Sequence, residues 1–139
     1  MIEEQEYIET IETFFSFLID EFGYVKSSVK IRGNAFYDVQ YSNDIRSISI
    51  SYENIGDYFQ VIVYTLRNGE MPNYDDDENI LYLKDHNRSI WETMSKESVK
   101  VIAEKFAQYH TYNPFKRAVL KQAKDLYAYL MNVEIRIGH

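Results

Sequence analysis

Apolar positions near the start of the chain recur at spacings of three and four. Ile8, Ile11, Phe15, Leu18 and Phe22 form such a series, and Phe14 and Ile19 widen it. Side chains so spaced share one side of an α-helix, which predicts a helix over residues 3–22. Glu3, Glu4, Glu6 and Glu9 fall in its first turns, where unpaired amides favour negative charge. Gly23 supplies the stop, because a residue without a Cβ readily enters the left-handed conformation that ends many helices.

The period then changes to two. Val25, Ser27, Val29 and Ile31 alternate with Lys26, Ser28, Lys30 and Arg32, predicting a half-buried strand with a basic outer face. Gly33-Asn34 is a hairpin signal, since both residues tolerate positive φ. Ala35, Tyr37, Val39 and Tyr41 share one face of a second strand, with Phe36, Asp38 and Gln40 on the other. After a turn at Ser42-Asn43-Asp44, Arg46, Ile48, Ile50 and Tyr52 alternate with Ser47, Ser49 and Ser51. The serine side is expected to face solvent or a partner. A further turn at Asn54–Asp57 leads into Tyr58–Leu66, apolar on both faces apart from Gln60 and Thr65, as in an enclosed strand. Strands joined by short turns pair with their neighbours, so a four-stranded antiparallel meander is expected.

Arg67–Asn79 is a turn-rich acidic loop, and Ile80–Leu83 is an apolar run that fits a short strand or the opening of a helix. Ser89 or Ser95 can cap a helix beyond that run. Val99, Ile102, Ala103, Phe106, Ala107 and His110 make a helical stripe, interrupted by Thr111–Pro114. Asn113 or Thr111 can cap the last helix, with Pro114 at its first position, where a missing amide costs nothing. Phe115, Val119, Gln122 or Ala123, Leu126, Leu130 and Val133 extend that helix over residues 114–134, with Lys121 and Asp125 placed to pair on its solvent side. The fold class is α+β: an N-terminal helix, a four-stranded antiparallel meander, then two or more C-terminal helices packed on the sheet, in one domain over residues 1–139.

Composition adds a surface argument. The chain carries 13 Tyr and 8 Phe among 139 residues, more rings than one core of this size encloses. Outward tyrosines are recurrent contact residues, and Tyr37, Tyr41 and Tyr58 are the candidates on the meander. Lys and Arg number 15 against 22 Asp and Glu, a net charge of −7. The acids cluster. Residues 1–22 hold seven of them and no base, and residues 75–78 are four in a row. Net negative charge disfavours phosphate backbones and anionic membranes, whereas acidic clusters steer basic proteins. Glu3, Glu6, Glu9, Asp75, Asp76 and Asp77 are therefore the candidate contacts for a basic protein partner. The expected location is the cytoplasm, since the start of the chain is acidic where an export signal is basic.

Sites for chemistry fail on spacing. The chain has no cysteine, and His86, His110 and His139 stand too far apart for a zinc motif. Asp75, Asp77 and Asn79 match the first positions of a calcium loop, but Ile80 replaces the required glycine and His86 the bidentate glutamate. No two glycines are closer than ten positions, which excludes both nucleotide-binding glycine motifs, and Gly-x-Ser-x-Gly is absent. Glu9 and Glu12 lie on a solvated helix side, where nothing makes an acid and base pair of them. Lys26, Lys30, Arg32 and Arg46, and Lys116, Arg117, Lys121 and Lys124, form basic stripes typical of solvated faces. No metal, cofactor or catalytic residue is assigned, and no direct nucleic-acid contact.

Phe14–Tyr24, followed by Phe36–Tyr41 and Ile48–Glu53, resembles small bacterial proteins, several of them similar to immunity proteins of polymorphic-toxin and contact-dependent inhibition systems. The resemblance spans residues 14–66. It implies a compact, acidic, non-enzymatic protein that masks or displaces a toxin domain, and it transfers no individual site residue. The expected function is a non-catalytic protein-binding module. A homo-oligomer that buries the same tyrosines against itself is the alternative, and a small-molecule-binding protein a further one.

Overall fold

The computed structural model describes residues 1–134. Five strands form one antiparallel sheet in sequential order: β1 Val25–Arg32, β2 Phe36–Ser42, β3 Arg46–Glu53, β4 Tyr58–Thr65 and β5 Ile80–Tyr82. The α+β architecture thus has one strand more than the meander expected from the sequence. Ile80–Leu83 resolves into both of its alternatives, since β5 pairs with β4 and Leu83–Asp85 turns at once into a 3-10 helix.

The N-terminal helix is broken. α1 spans Glu4–Phe14 and α2 spans Phe17–Asp20, with Phe15 at φ −106°, ψ 16° between them. Phe14, Phe15, Phe17 and Leu18 are all buried. Four nearly consecutive apolar residues cover more than one side of a straight helix, so the break re-aims the second pair into the core. The C-terminal half folds into α3 Asn87–Glu92, α4 Lys96–Phe106 and α5 Pro114–Val133. Ser95 caps α4 by accepting the Ser98 amide at 3.1 Å, and Asn113 caps α5 by accepting the Lys116 amide at 3.0 Å. The α4 stripe is narrower than its spacing implies: Ile102 and Phe106 are buried, while Val99, Ala103, Ala107 and His110 are not. Asp125 is buried too, accepting from Trp91 Nε1 at 2.7 Å, so its contact with Lys121 at 3.6 Å is not a solvent-side pair.

Register assigns the two sheet faces. Tyr37 stands opposite Tyr52, Val39 opposite Ile50 and Tyr41 opposite Ile48, while Ile48, Ile50 and Tyr52 oppose Val63, Val61 and Phe59. This face carries the core with α1, α2 and α5. Tyr7 of α1 donates its hydroxyl to the Ile50 carbonyl at 2.7 Å, and Tyr37 donates to the Ile2 carbonyl at 2.8 Å. The Asn54 side chain accepts from Ile2 N at 3.0 Å and donates to Ile2 O at 3.1 Å, which fastens the start of α1 to the β3–β4 turn. At the far end of α5, Glu134 meets Arg46 at 3.0 Å and Asn43 at 3.1 Å and accepts from Tyr24. Among the described residues no helix is long and apolar enough to cross a membrane.

Candidate functional site

The face of the sheet opposite the helices is built by alternation alone. β3 contributes Ser47, Ser49 and Ser51, each flanked directly by residues of β2 and β4: Ser47 by Ser42 and Tyr64, Ser49 by Gln40 and Ile62, Ser51 by Asp38 and Gln60. No described helix lies on this face. The serines point away from the core as the alternation predicts, yet they are only 4–6% exposed, a trough between larger neighbours. Tyr58, Tyr64 and Tyr82 follow on the β4–β5 side, with Tyr58 and Tyr82 each 46% exposed. Lys84 Nζ sits 4.3 Å from the centre of the Tyr58 ring, a cation over an aromatic face.

At the centre of the trough is Asp38, only 4% exposed. Its Oδ1 accepts from Ser49 Oγ at 2.6 Å and its Oδ2 from Gln40 Nε2 at 2.8 Å, with Lys30 opposite it in register. Each carboxylate oxygen therefore has a donor, which is how a buried charge is tolerated. Ser42 extends the polar strip by donating to Ser47 at 2.9 Å and meeting Ser27 at 3.0 Å. Sequence reasoning passed over Asp38. Its signal was an acid inside an apolar strand, alternating with two tyrosines.

Two of the three tyrosines expected on the surface are core residues. Tyr37 is 0% and Tyr41 1% exposed, because α1 covers the face they share with Ile48 and Ile50. Tyr58 is the one that reaches the surface, and Tyr64 and Tyr82 join it. Burial pushes the Tyr41 hydroxyl up to about 12, with the Glu12 charge adding to the effect. Burial raises Tyr52 to about 12 as well, and there the hydrogen bond to Asp57 contributes. Tyr7 lies well above the ordinary tyrosine value, and Tyr64 is also raised, mainly by burial. Tyr7 and Tyr52 use their hydroxyl protons as donors, to the Ile50 carbonyl and to Asp57.

The acidic candidates do not form one patch. Glu3, Glu6 and Glu9 are exposed on α1, whose start is tied to Asn54 at the Glu53–Tyr58 end of the strands. The Asp75–Glu78 loop joins the opposite end, where Thr65 N bonds to Asn79 O and Thr65 faces Arg46. Seven residues of strand separate the ends, about 23 Å at roughly 3.3 Å per residue. Asp75 and Asp77 are exposed, but Asp76 is an internal anchor. Its Oδ2 lies 3.0 Å from Arg67 Nε and accepts from Asn79 Nδ2 at 2.9 Å. Among the described residues no three His, Asp or Glu side chains converge as metal ligands. His86 precedes α3, His110 stacks near Tyr112, and His139 lies outside the described residues.

The basic face of β1 is rearranged by a bulge. Register shifts between Lys26 and Ser28, which turns Lys26 to the helix side beside Tyr41, where it pairs with Glu12 at 3.1 Å. Val25 moves to the other face, so the strict alternation from Val25 to Arg32 does not hold. Lys30 and Arg32 remain exposed beside the trough.

Comparison with protein families, with curated proteins and with solved structures finds no match to this chain.

Proposed function

We propose that this is a non-catalytic protein-binding module whose contact surface is the helix-free face of the sheet. The observation that carries the reading is the make-up of that face: two half-exposed tyrosines and a third beside them, bordering a trough of serines around a fully hydrogen-bonded Asp38. Aromatic rings supply contact area with few rotors to freeze.

The partner is a basic protein. Acids on α1 and on the 75–78 loop flank the molecule at two ends, so a cation-rich partner is attracted from a distance and then docked by the tyrosines. In the biological form implied by the resemblance, the module masks a toxin domain. The sheet edges support contact through a face. β1 is bulged and carries Lys26, Lys30 and Arg32, and β5 is three residues long, both features that discourage edge-to-edge pairing.

The test is co-expression with a toxin domain encoded beside this chain. Formation of a complex is expected, with loss of toxicity. Tyr58→Ala with Tyr82→Ala should weaken the complex at least tenfold while the melting temperature holds. Glu3→Gln, Glu6→Gln and Glu9→Gln together should slow association at low salt and leave dissociation unchanged. The reading fails if the tyrosine variant binds as wild type, or if the chain forms a symmetric dimer through this face and protects against nothing.

A further inference from the structure

A cleft of about 610 Å³ lies between the first turns of α5, the β3–β4 turn and the 3-10 turn after β5, a size typical of small-ligand sites. It opens on the helix side of the sheet, and only Lys84 on its rim, whose amine lies over the Tyr58 ring, is shared with the proposed contact face. Its floor is aromatic. Tyr52 and Phe115 meet edge to face at 4.9 Å, and Phe59 lies 6.3 Å from Phe115. Along α5, Pro114, Ala118 and Gln122 recur every fourth residue as one wall, and the short, exposed Ala118 leaves room over the rings.

Gln122 has a demand that the protein does not meet. It is 5% exposed; its Nε2 donates to the Phe59 carbonyl at 3.1 Å, while its Oε1 has no hydrogen-bond partner. Leaving a buried acceptor unmatched is unfavourable, so a small turn of the Gln122 amide that brings the enclosed Oε1 to a ligand N–H or O–H gains on binding. The rim has the opposite preference. Lys84 and Lys121 border it against one carboxylate, Asp57, which already accepts the Tyr52 hydroxyl at 2.6 Å. Lys121 also stands 3.6 Å from Asp125, which Trp91 shares. The amino end of the 20-residue α5 opens here too. Pro114 has no amide, and Asn113 takes the amides of Lys116 and Arg117, leaving the Phe115 N–H.

The geometry points to a binding site for a small heteroaromatic anion. The flat ring lies on Tyr52, Phe59 and Phe115, a ring or exocyclic N–H donates to Gln122 Oε1, and the anionic group sits between Lys84 and Lys121 near the start of α5. An aromatic carboxylate and a nucleoside monophosphate share this chemistry.

The experiment titrates the full ¹⁵N-labelled chain with indole-3-acetate and with adenosine monophosphate, alongside neutral indole and adenosine. Saturable shifts of the Gln122 side-chain amide and the Phe115 amide are expected with at least one anion, about tenfold weaker with its neutral counterpart. The anion that binds more tightly identifies the source. Ala118→Phe fills the cleft and should abolish the shifts. Lys84→Gln with Lys121→Gln, which leaves the core untouched, should weaken binding by roughly five- to tenfold. The site is refuted if neither anion shifts these amides, if the shifts survive Ala118→Phe, or if the neutral rings bind as tightly. None of these outcomes depends on a protein partner, so they are separable from the test of the sheet face.

Discussion

Along β3, Ile48, Ile50 and Tyr52 go one way and Ser47, Ser49 and Ser51 the other, and the same division runs through β2, where Tyr37, Val39 and Tyr41 oppose Asp38 and Gln40. Both sets have little contact with solvent, for different reasons. The first is sealed by Tyr7, Phe15 and Leu18 of the broken N-terminal helix and by Val119, Leu126 and Leu130 of α5. The second is shielded by its own neighbours, with hydrogen bonds joining Asp38 to Ser49 and Gln40, and Ser42 to Ser47. One face holds the molecule together by apolar area. The other holds a polar pattern in place at small energetic gain, which leaves it available for recognition.

Substitutions should separate these roles. Phe15→Ala removes a fully buried ring from the first face and should cost about 3–5 kcal/mol, read as a fall in the denaturant midpoint at constant slope. Asp38→Ala on the second face strands the Ser49 hydroxyl and the Gln40 amide, for a smaller loss of about 1–3 kcal/mol. A loss as large as that of Phe15→Ala would mean that the polar face is also core. Alkaline pH probes the first face through Tyr41 and Tyr52, and the second through Tyr64, whose hydroxyl burial also raises. Tyr41 and Tyr52 hold their protons to about 12, against 10.0 in the unfolded chain. Above pH 10 the unfolded state releases protons that the folded state keeps, so their contribution is whole below pH 10 and drains away as pH rises towards 12. Tyr52→Phe should make that decline shallower; an unchanged slope would show that Tyr52 titrates normally. Tyr82→Ala comes last, with a stability change within about 0.5 kcal/mol, since its ring is half exposed.

The periodicities of the sequence were enough for the element order, the alternation and the caps at Ser95 and Asn113. They could not set the β2–β3 register that puts Tyr37 and Tyr41 on the Ile48 face, because both read equally well inward or outward. That choice was made by Tyr7 and Phe15, whose partners lie tens of residues away. The β1 bulge was hidden for a related reason: Lys26 turns to the helix side of the sheet to meet Glu12, a pairing that no local pattern announces. Asp38 escaped notice because its partner Ser49 stands on another strand. The acids of residues 75–78 looked equivalent as a run, but only the folded loop distinguishes Asp76, which holds Arg67 and Asn79, from its exposed neighbours.

The placement of α5 has a consequence for synthesis. This helix comes after every described strand, yet it supplies Val119, Ala123, Leu126 and Leu130 to the core, and Glu134 beyond its last turn bonds Tyr24, 110 residues earlier. A growing chain that has completed the meander but not α5 carries a sheet with an unfinished aromatic face. Such a nascent chain is sticky, and it must be shielded by a chaperone or by the ribosome surface until α5 emerges. A translational pause just before Pro114 would lengthen that exposure, and synonymous codon changes there should alter the yield of native protein without altering the protein itself.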